Sequence, residues 1–162
     1  MDATETRLPT YFISHGGGPW PWILDLMPGD FGPLTRSLEA IPREVGVTPK
    51  AVLVISGHWE ERAFTVQTSA NPPMLYDYGG FPEFTYHLRY DAPGSPAVAE
   101  RVVELLEGAG LPAARDDRRG FDHGTFVPLH VMYPDAQVPV LQLSMQHGYD
   151  VDRMLWLGAK ME

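Results

Sequence analysis

KAVLVIS, Lys50 to Ser56, is a run of five apolar residues, three of them β-branched, and Gly57 and His58 follow it directly. It is apolar on both faces, as a parallel strand covered by helices on either side is. Two more runs share this character: LPTYFIS, Leu8 to Ser14, which stops at His15 and three glycines, and VPVLQLS, Val138 to Ser144. AFTVQTS, Ala63 to Ser69, alternates apolar with polar residues and reads as an edge strand. Between these runs the period lengthens. PLTRSLEAI after Gly32, SPAVAERVVELLEGAG from Ser95 to Gly110, and TFVPLHVMY around Phe126 are predicted helices. The second has Ser before Pro at its start and glycine at its stop. Strands alternating with helices predict an α/β fold, with a mostly parallel central sheet and helices on both faces, in one domain spanning residues 1–162. DVDRMLWLGAKME, at the end of the chain, begins as an amphipathic helix that such a fold would lead into a further strand.

The 162 residues are 44% apolar and 20% charged, the balance of a folded globular chain. Sixteen glycines and sixteen prolines fall between the apolar runs, so they read as loops around a sheet. A formal charge of −9 argues against nucleic acid, whose binders displace phosphate counterions with clustered Lys and Arg. The most basic stretch, ARDDRRG, is cancelled by its own aspartates. No apolar stretch reaches the ~18 residues of a membrane span. MDATETRLPT has no basic end followed by an apolar core, so no signal peptide is expected, and cytoplasmic location is the default. With no cysteine, histidines and carboxylates are the metal-capable groups.

His15 and His58 stand in matching contexts, ISHGGGPW and ISGHWE, each at the end of a predicted strand. That edge is where open α/β sheets place ligands, and two imidazoles there suit a shared divalent ion. Each histidine alone also reads as a hydrogen-bonded loop residue. His123, in GFDHGTF, reads either as an acid/base group near neutral pH or as part of a helix N-terminus built with Asp122 and Thr125. His130 reads as a packed helix residue. His147 follows a strand end and is a candidate pocket group, while His87 is left without assignment. Glu60 and Glu61 read as a carboxylate ligand or, more simply, as solvated charges. HGGGPW is not accompanied by G-x-S-x-G, which argues against a serine hydrolase, and no phosphate-loop, dinucleotide or H-E-x-x-H pattern is present.

Taken together, LPTYFISHGGGPW, KAVLVISGHWE, PPMLYDYGGFPEFTYHLRYDAPGSP and GFDHGTFVPLHVMYPDAQVPVLQLS resemble the class III extradiol ring-cleavage dioxygenases, the 4,5-DOPA dioxygenase-like branch of the LigB-type superfamily. The resemblance spans about Leu8 to Ser144. It implies an α/β fold holding one non-haem metal ion, Fe(II) for activity and Zn(II) as a substitute, that opens a catechol-type ring with O2. It further implies that His15 and His58 are metal ligands, that His123 is the acid/base, and that Tyr76, Asp77, Tyr78 and Phe81 line the substrate pocket, with His147 a further pocket candidate.

The resemblance also implies a longer chain, whose third metal ligand, a histidine, lies on a strand beyond the helix resembled by MLWLGAK. The C-terminal part of the fold is thus expected to be missing here, and His147, a second chain or water would have to complete the site. A sheet without its later strands leaves an exposed edge and apolar surface, which predicts a weakly stable monomer or association into a homo-oligomer. Two other functions fit the same motifs: a non-catalytic binding or assembly subunit of the family, and a zinc-dependent hydrolase on a related scaffold.

Overall fold

In the computed structural model, residues 8–148 are described together with Asp150, Asp152, Leu155 and Gly158. β1 runs Val52–Glu61 and pairs in parallel with β4, Val140–Gln146. β2, Phe64–Gln67, lies antiparallel to β4 through Val66 and Leu143, and pairs in parallel with β3, Ala113–Asp116. The order is β1-β4-β2-β3, so two of the three strand pairs are parallel. The sheet is flanked by α1, Gly32–Val45; α2, Pro96–Gly108; and α3, His123–Met132.

Alternation along the strands divides the core into two layers. Val52, Val54 and Val140 pack with Leu38 and Ile41 of α1 and with Phe126, Val127 and Leu129 of α3. Leu53, Leu141 and Leu143 face the other way, onto Ala99, Val102, Val103 and Leu106 of α2. Both faces are therefore covered, as the uninterrupted apolar runs predict. α1 ends at Gly46, whose φ of 74° places it in the left-handed region and whose N–H closes on the Pro42 carbonyl. α2 begins after Ser95 without a side-chain capping bond.

Three expectations need correction, and one strand carries no signal in the sequence. Leu8 to Ser14 is not a strand: it is irregular and largely exposed, with Phe12 wholly in solvent. A strand exists only through ladder bonds to a neighbour, and β1, the edge nearest in sequence pattern, pairs with β4 alone among the described residues. AFTVQTS is not at the edge but inside the sheet, and Thr65 and Gln67 are buried there with side chains bonded internally: Thr65 Oγ1 donates to the Ala63 carbonyl at 3.0 Å, and Gln67 Nε2 to the Arg119 carbonyl at 2.7 Å. The edge position belongs instead to β3, within the stretch AARD that composition alone marks only as charge. β4 begins two residues later than predicted, after Pro139, which has no N–H to give the ladder.

The predicted C-terminal helix lies outside the described residues except for Asp152, Leu155 and Gly158, which are helical. No described helix is long and apolar enough to cross a membrane.

Candidate active site

His58 is aimed by an irregularity in its strand. In the β1–β4 ladder Ile55 pairs with Leu143 and Glu60 with Met145, so Ser56 to Trp59 stand opposite Ser144 alone. Such a bulge bends the strand and redirects side chains. His58 is therefore inside β1, not beyond its end as the sequence suggests.

His15 arrives from the irregular N-terminal segment and is fixed by its backbone: Trp20 Nε1 donates to the His15 carbonyl at 2.8 Å. The glycines behind it serve close packing against aromatic rings. A Cβ on Gly16 would lie 2.5 Å from the Trp20 ring, and one on Gly18 2.5 Å from Phe81; both residues also have positive φ, at 76° and 51°.

His123 is the first residue of α3. Asp122 caps that helix, its carboxylate accepting from the Thr125 N–H at 3.1 Å. Asp122 is wholly buried, and it also accepts from Ser56 Oγ at 2.8 Å and from Arg119 at 2.9 Å. Arg119 lies over the Trp59 ring, 4.9 Å from its centroid, and reaches the His58 carbonyl at 3.3 Å. Behind this turn Thr125 Oγ1 bonds Gln142 Oε1, and Gln142 Nε2 bonds the Gly120 carbonyl. The Ser56–Asp122–Arg119 bracket joins the bulge of β1 to the start of α3. Sequence reasoning missed it: Arg119 is counted there as a cancelled surface charge, and only its place two residues before FD hints otherwise.

The three histidines converge. One ring nitrogen from each lies within 4.8 Å of the others, and His15 Nε2 faces His58 Nε2 at 3.0 Å. Ring centroids are 4.8 Å apart for His15 and His58, 4.9 Å for His15 and His123, and 4.1 Å for His58 and His123. Burial, with the neighbouring rings of His123 and His58 adding to it, lowers the His15 pKa below the usual histidine range. The neutral ring is the form that binds a metal ion. His15 therefore resists protonation more in the folded than in the unfolded chain. Its contribution to stability is lost as pH falls below the unfolded histidine value of ~6.5. The metal-free protein is expected to melt at lower temperature at pH 5.5 than at pH 7.5, with a smaller difference in His15→Gln; an equal difference in both contradicts this assignment.

Asp77 stands beside the cluster, its Oδ1 accepting the His123 backbone N–H at 2.9 Å and facing His123 Nδ1 at 2.8 Å. Burial alone would raise its pKa, but the hydrogen bonds from His123 outweigh that and hold it down at about 2. The Tyr78 ring lies 5.8 Å from His123 and 5.5 Å from Phe81, and Tyr76 lies 6.2 Å from Tyr78. Both tyrosine hydroxyls are spent on backbone carbonyls, Tyr78 on Thr85 and Tyr76 on Leu88. Burial pushes Tyr78 up to about 12, so it stays protonated and contributes a ring face to the site. His147 is elsewhere: it is exposed at the end of β4, with Nδ1 3.4 Å from Glu60. Trp59 Nε1 holds Glu61 at 3.1 Å. Among the described residues, neither carboxylate belongs to the group of possible metal ligands, and the third histidine of that group is His123. His130 packs on Trp22, ring centroids 4.4 Å apart, and burial lowers its pKa.

Gly124 is where α3 presses on the site. A Cβ there would stand 2.8 Å from His58 Cδ2 and 2.9 Å from Ser56 Oγ. Gly124→Ala is expected to cost about 1–3 kcal/mol of stability by overpacking, and to weaken Zn(II) binding by displacing His58. Urea unfolding and zinc competition measure both, and wild-type values for both would show that the contact relaxes freely.

The chain as a whole is similar to known proteins. Residues 10–161 match the family described as the catalytic LigB subunit of aromatic ring-opening dioxygenase. The chain is 43% identical over 160 residues to a 4,5-DOPA dioxygenase extradiol of Beta vulgaris, covering 98% of this chain and 58% of that protein. It is 41% identical over 162 residues to a 4,5-DOPA dioxygenase extradiol of Escherichia coli K12, covering 98% of this chain and 55% of that protein. It thus spans little more than half the length of these relatives. Among solved structures, uncharacterized protein JW3007 from Escherichia coli K12 superposes with a TM-score of 0.54 at 40% identity, over 69% of this chain and 40% of that one. A match across nearly the whole chain, on a helix-covered and mostly parallel sheet, places this chain in the LigB family of aromatic ring-opening dioxygenases.

Proposed function

We propose that this chain provides the metal-holding and proton-moving part of an extradiol dioxygenase that opens a catechol-type ring with O2, as in the 4,5-DOPA dioxygenase-like branch. The observation that supports it most is the pair of imidazole nitrogens, His15 Nε2 and His58 Nε2, 3.0 Å apart beside His123 and an aromatic wall.

The residues fit a metal ion. Two nitrogens each ~2.1 Å from one ion can stand at most ~4.2 Å apart, and this pair lies within that reach. His15 and His58 would hold the ion, Fe(II) for activity with Zn(II) able to take the same place. When bound, that ion supplies the point at which catecholate and O2 meet and electron density passes from ring to oxygen.

The rest is done by the chain. His123 takes a proton from a substrate hydroxyl at Nε2 and returns one as the oxygen–oxygen bond breaks. Tyr76, Tyr78 and Phe81 present ring faces to the aromatic substrate, and Asp77 holds His123. The ring carbon–carbon bond beside a hydroxyl breaks, both atoms of O2 enter the product, and a muconic semialdehyde-type acid results. Residues 1–162 act in this reading as one catalytic-type domain, in a reducing cytoplasmic compartment that suits ferrous iron. Among the described residues β1 pairs with β4 alone, and a homo-oligomer would cover that edge of the sheet and exposed apolar residues such as Ile55 and Phe12. Oxygen dependence tests the reaction class: consumption of O2 with a catechol is expected, whereas anaerobic cleavage of an ester without any action on catechols would make the protein a hydrolase.

A further inference from the structure

We propose that Asp77 is the positioning residue of the histidine cluster, fixing His123 as the tautomer protonated on Nδ1 so that Nε2 keeps its lone pair for the substrate proton. The inference rests on the ring-cleavage reading for its consequence in turnover, but the tautomer itself is a property of the protein alone.

The geometry is that of an acceptor surrounded by donors. Asp77 Oδ1 already receives the His123 backbone N–H at 2.9 Å, which pins the carboxylate against the first residue of α3. The same oxygen lies 2.8 Å from His123 Nδ1. An ionised carboxylate can only accept, so the ring nitrogen facing it must carry the hydrogen. In a neutral imidazole the other nitrogen is then the base. Oδ2 of the same carboxylate stands 3.7 Å from His58 Nδ1. One side chain therefore faces the outer nitrogens of two of the three rings, while His58 Nε2 points inward to His15. Outer carboxylates of this kind set ring orientation and tautomer for histidines that work through their other nitrogen.

Among the described residues His123 has no comparable alternative. It is buried, and its ring stacks edge-on against His15 and Tyr78 and obliquely against His58. The hydroxyl of Tyr78 is committed to Thr85, and the carboxylate of Asp122 to Ser56, Thr125 and Arg119. Asp77 is the residue left to determine which nitrogen bears the proton. In the sequence it lies 46 positions away, in YDYGGFP, where it reads as pocket wall.

The test is a long-range proton–nitrogen correlation spectrum of metal-free, 15N-histidine-labelled protein at a pH where the rings are neutral. The wild type is expected to show His123 protonated on Nδ1 with Nε2 bare. Asp77→Asn, nearly isosteric but uncharged and able to donate, is expected to move the tautomer ratio at least about tenfold toward Nε2–H. A wild-type His123 protonated on Nε2 overturns the proposal, and that spectrum decides even if the variant does not fold. A folded Asp77→Asn protein with the wild-type tautomer overturns it too. Wild type and variant showing the expected tautomers, but no turnover of catechol by the iron-loaded protein, would support this assignment and contradict the ring-cleavage reading instead.

Discussion

Replacing His58 by alanine is expected to weaken Zn(II) binding at least about 100-fold, at or beyond the top of the 10–100-fold range that follows loss of an outer partner. The reason is geometric. His58 Nε2 lies 3.0 Å from His15 Nε2, and removing either ring leaves one imidazole to hold the ion. The fold should survive the change, because the His58 side chain is about one-third exposed and the bulge is held by its backbone, whose N–H bonds Ser56 Oγ at 3.2 Å. A competition titration against a chromogenic chelator reads the loss, and circular dichroism confirms the fold. Unchanged affinity in a folded His58→Ala protein would mean that the convergence of the rings is only packing.

His123→Ala separates the two kinds of histidine. Zn(II) affinity is expected to stay within about tenfold of wild type, while ring opening by the iron-loaded protein falls about 10²–10⁴-fold, the usual worth of a positioned acid/base group. The variant keeps the backbone N–H that binds Asp77 and the Asp122 cap, so the start of α3 retains its anchors. Loss of the metal together with turnover would make His123 a ligand, consistent with its place in the three-nitrogen group, and would return the proton transfers to another group.

Much of this was legible in the sequence because burial and chemistry left separate marks on it. The apolar runs of β1 and β4 identify strands covered on both faces, and the 3.6-residue pattern of α2 shows which side meets them. The site histidines stand out because each has a glycine directly beside it. What was not legible depends on contacts far apart in sequence. Leu8 to Ser14 has strand composition but no strand beside it. Thr65 and Gln67 look like solvent-facing positions, and their burial follows from the place of β2 inside the sheet, with Gln67 Nε2 bonded to the Arg119 carbonyl. The bulge that turns His58 inward comes from register against β4, which no local pattern encodes. Arg119 reads as a cancelled charge because a charged residue in a loop is usually solvated, and here it is committed to the turn that bears His123; Asp77 reads as pocket wall, and its bond to His123, 46 positions away, leaves no local mark.

The most direct test of the account is an anaerobic Fe(II) titration of this chain, followed by addition of a catechol and measurement of O2 uptake. One Fe(II) per chain is expected, bound in wild type and lost in His15→Ala, with one O2 consumed per catechol opened. Weak iron binding that is indifferent to His15→Ala, or tightly bound iron with no O2 uptake, would contradict it.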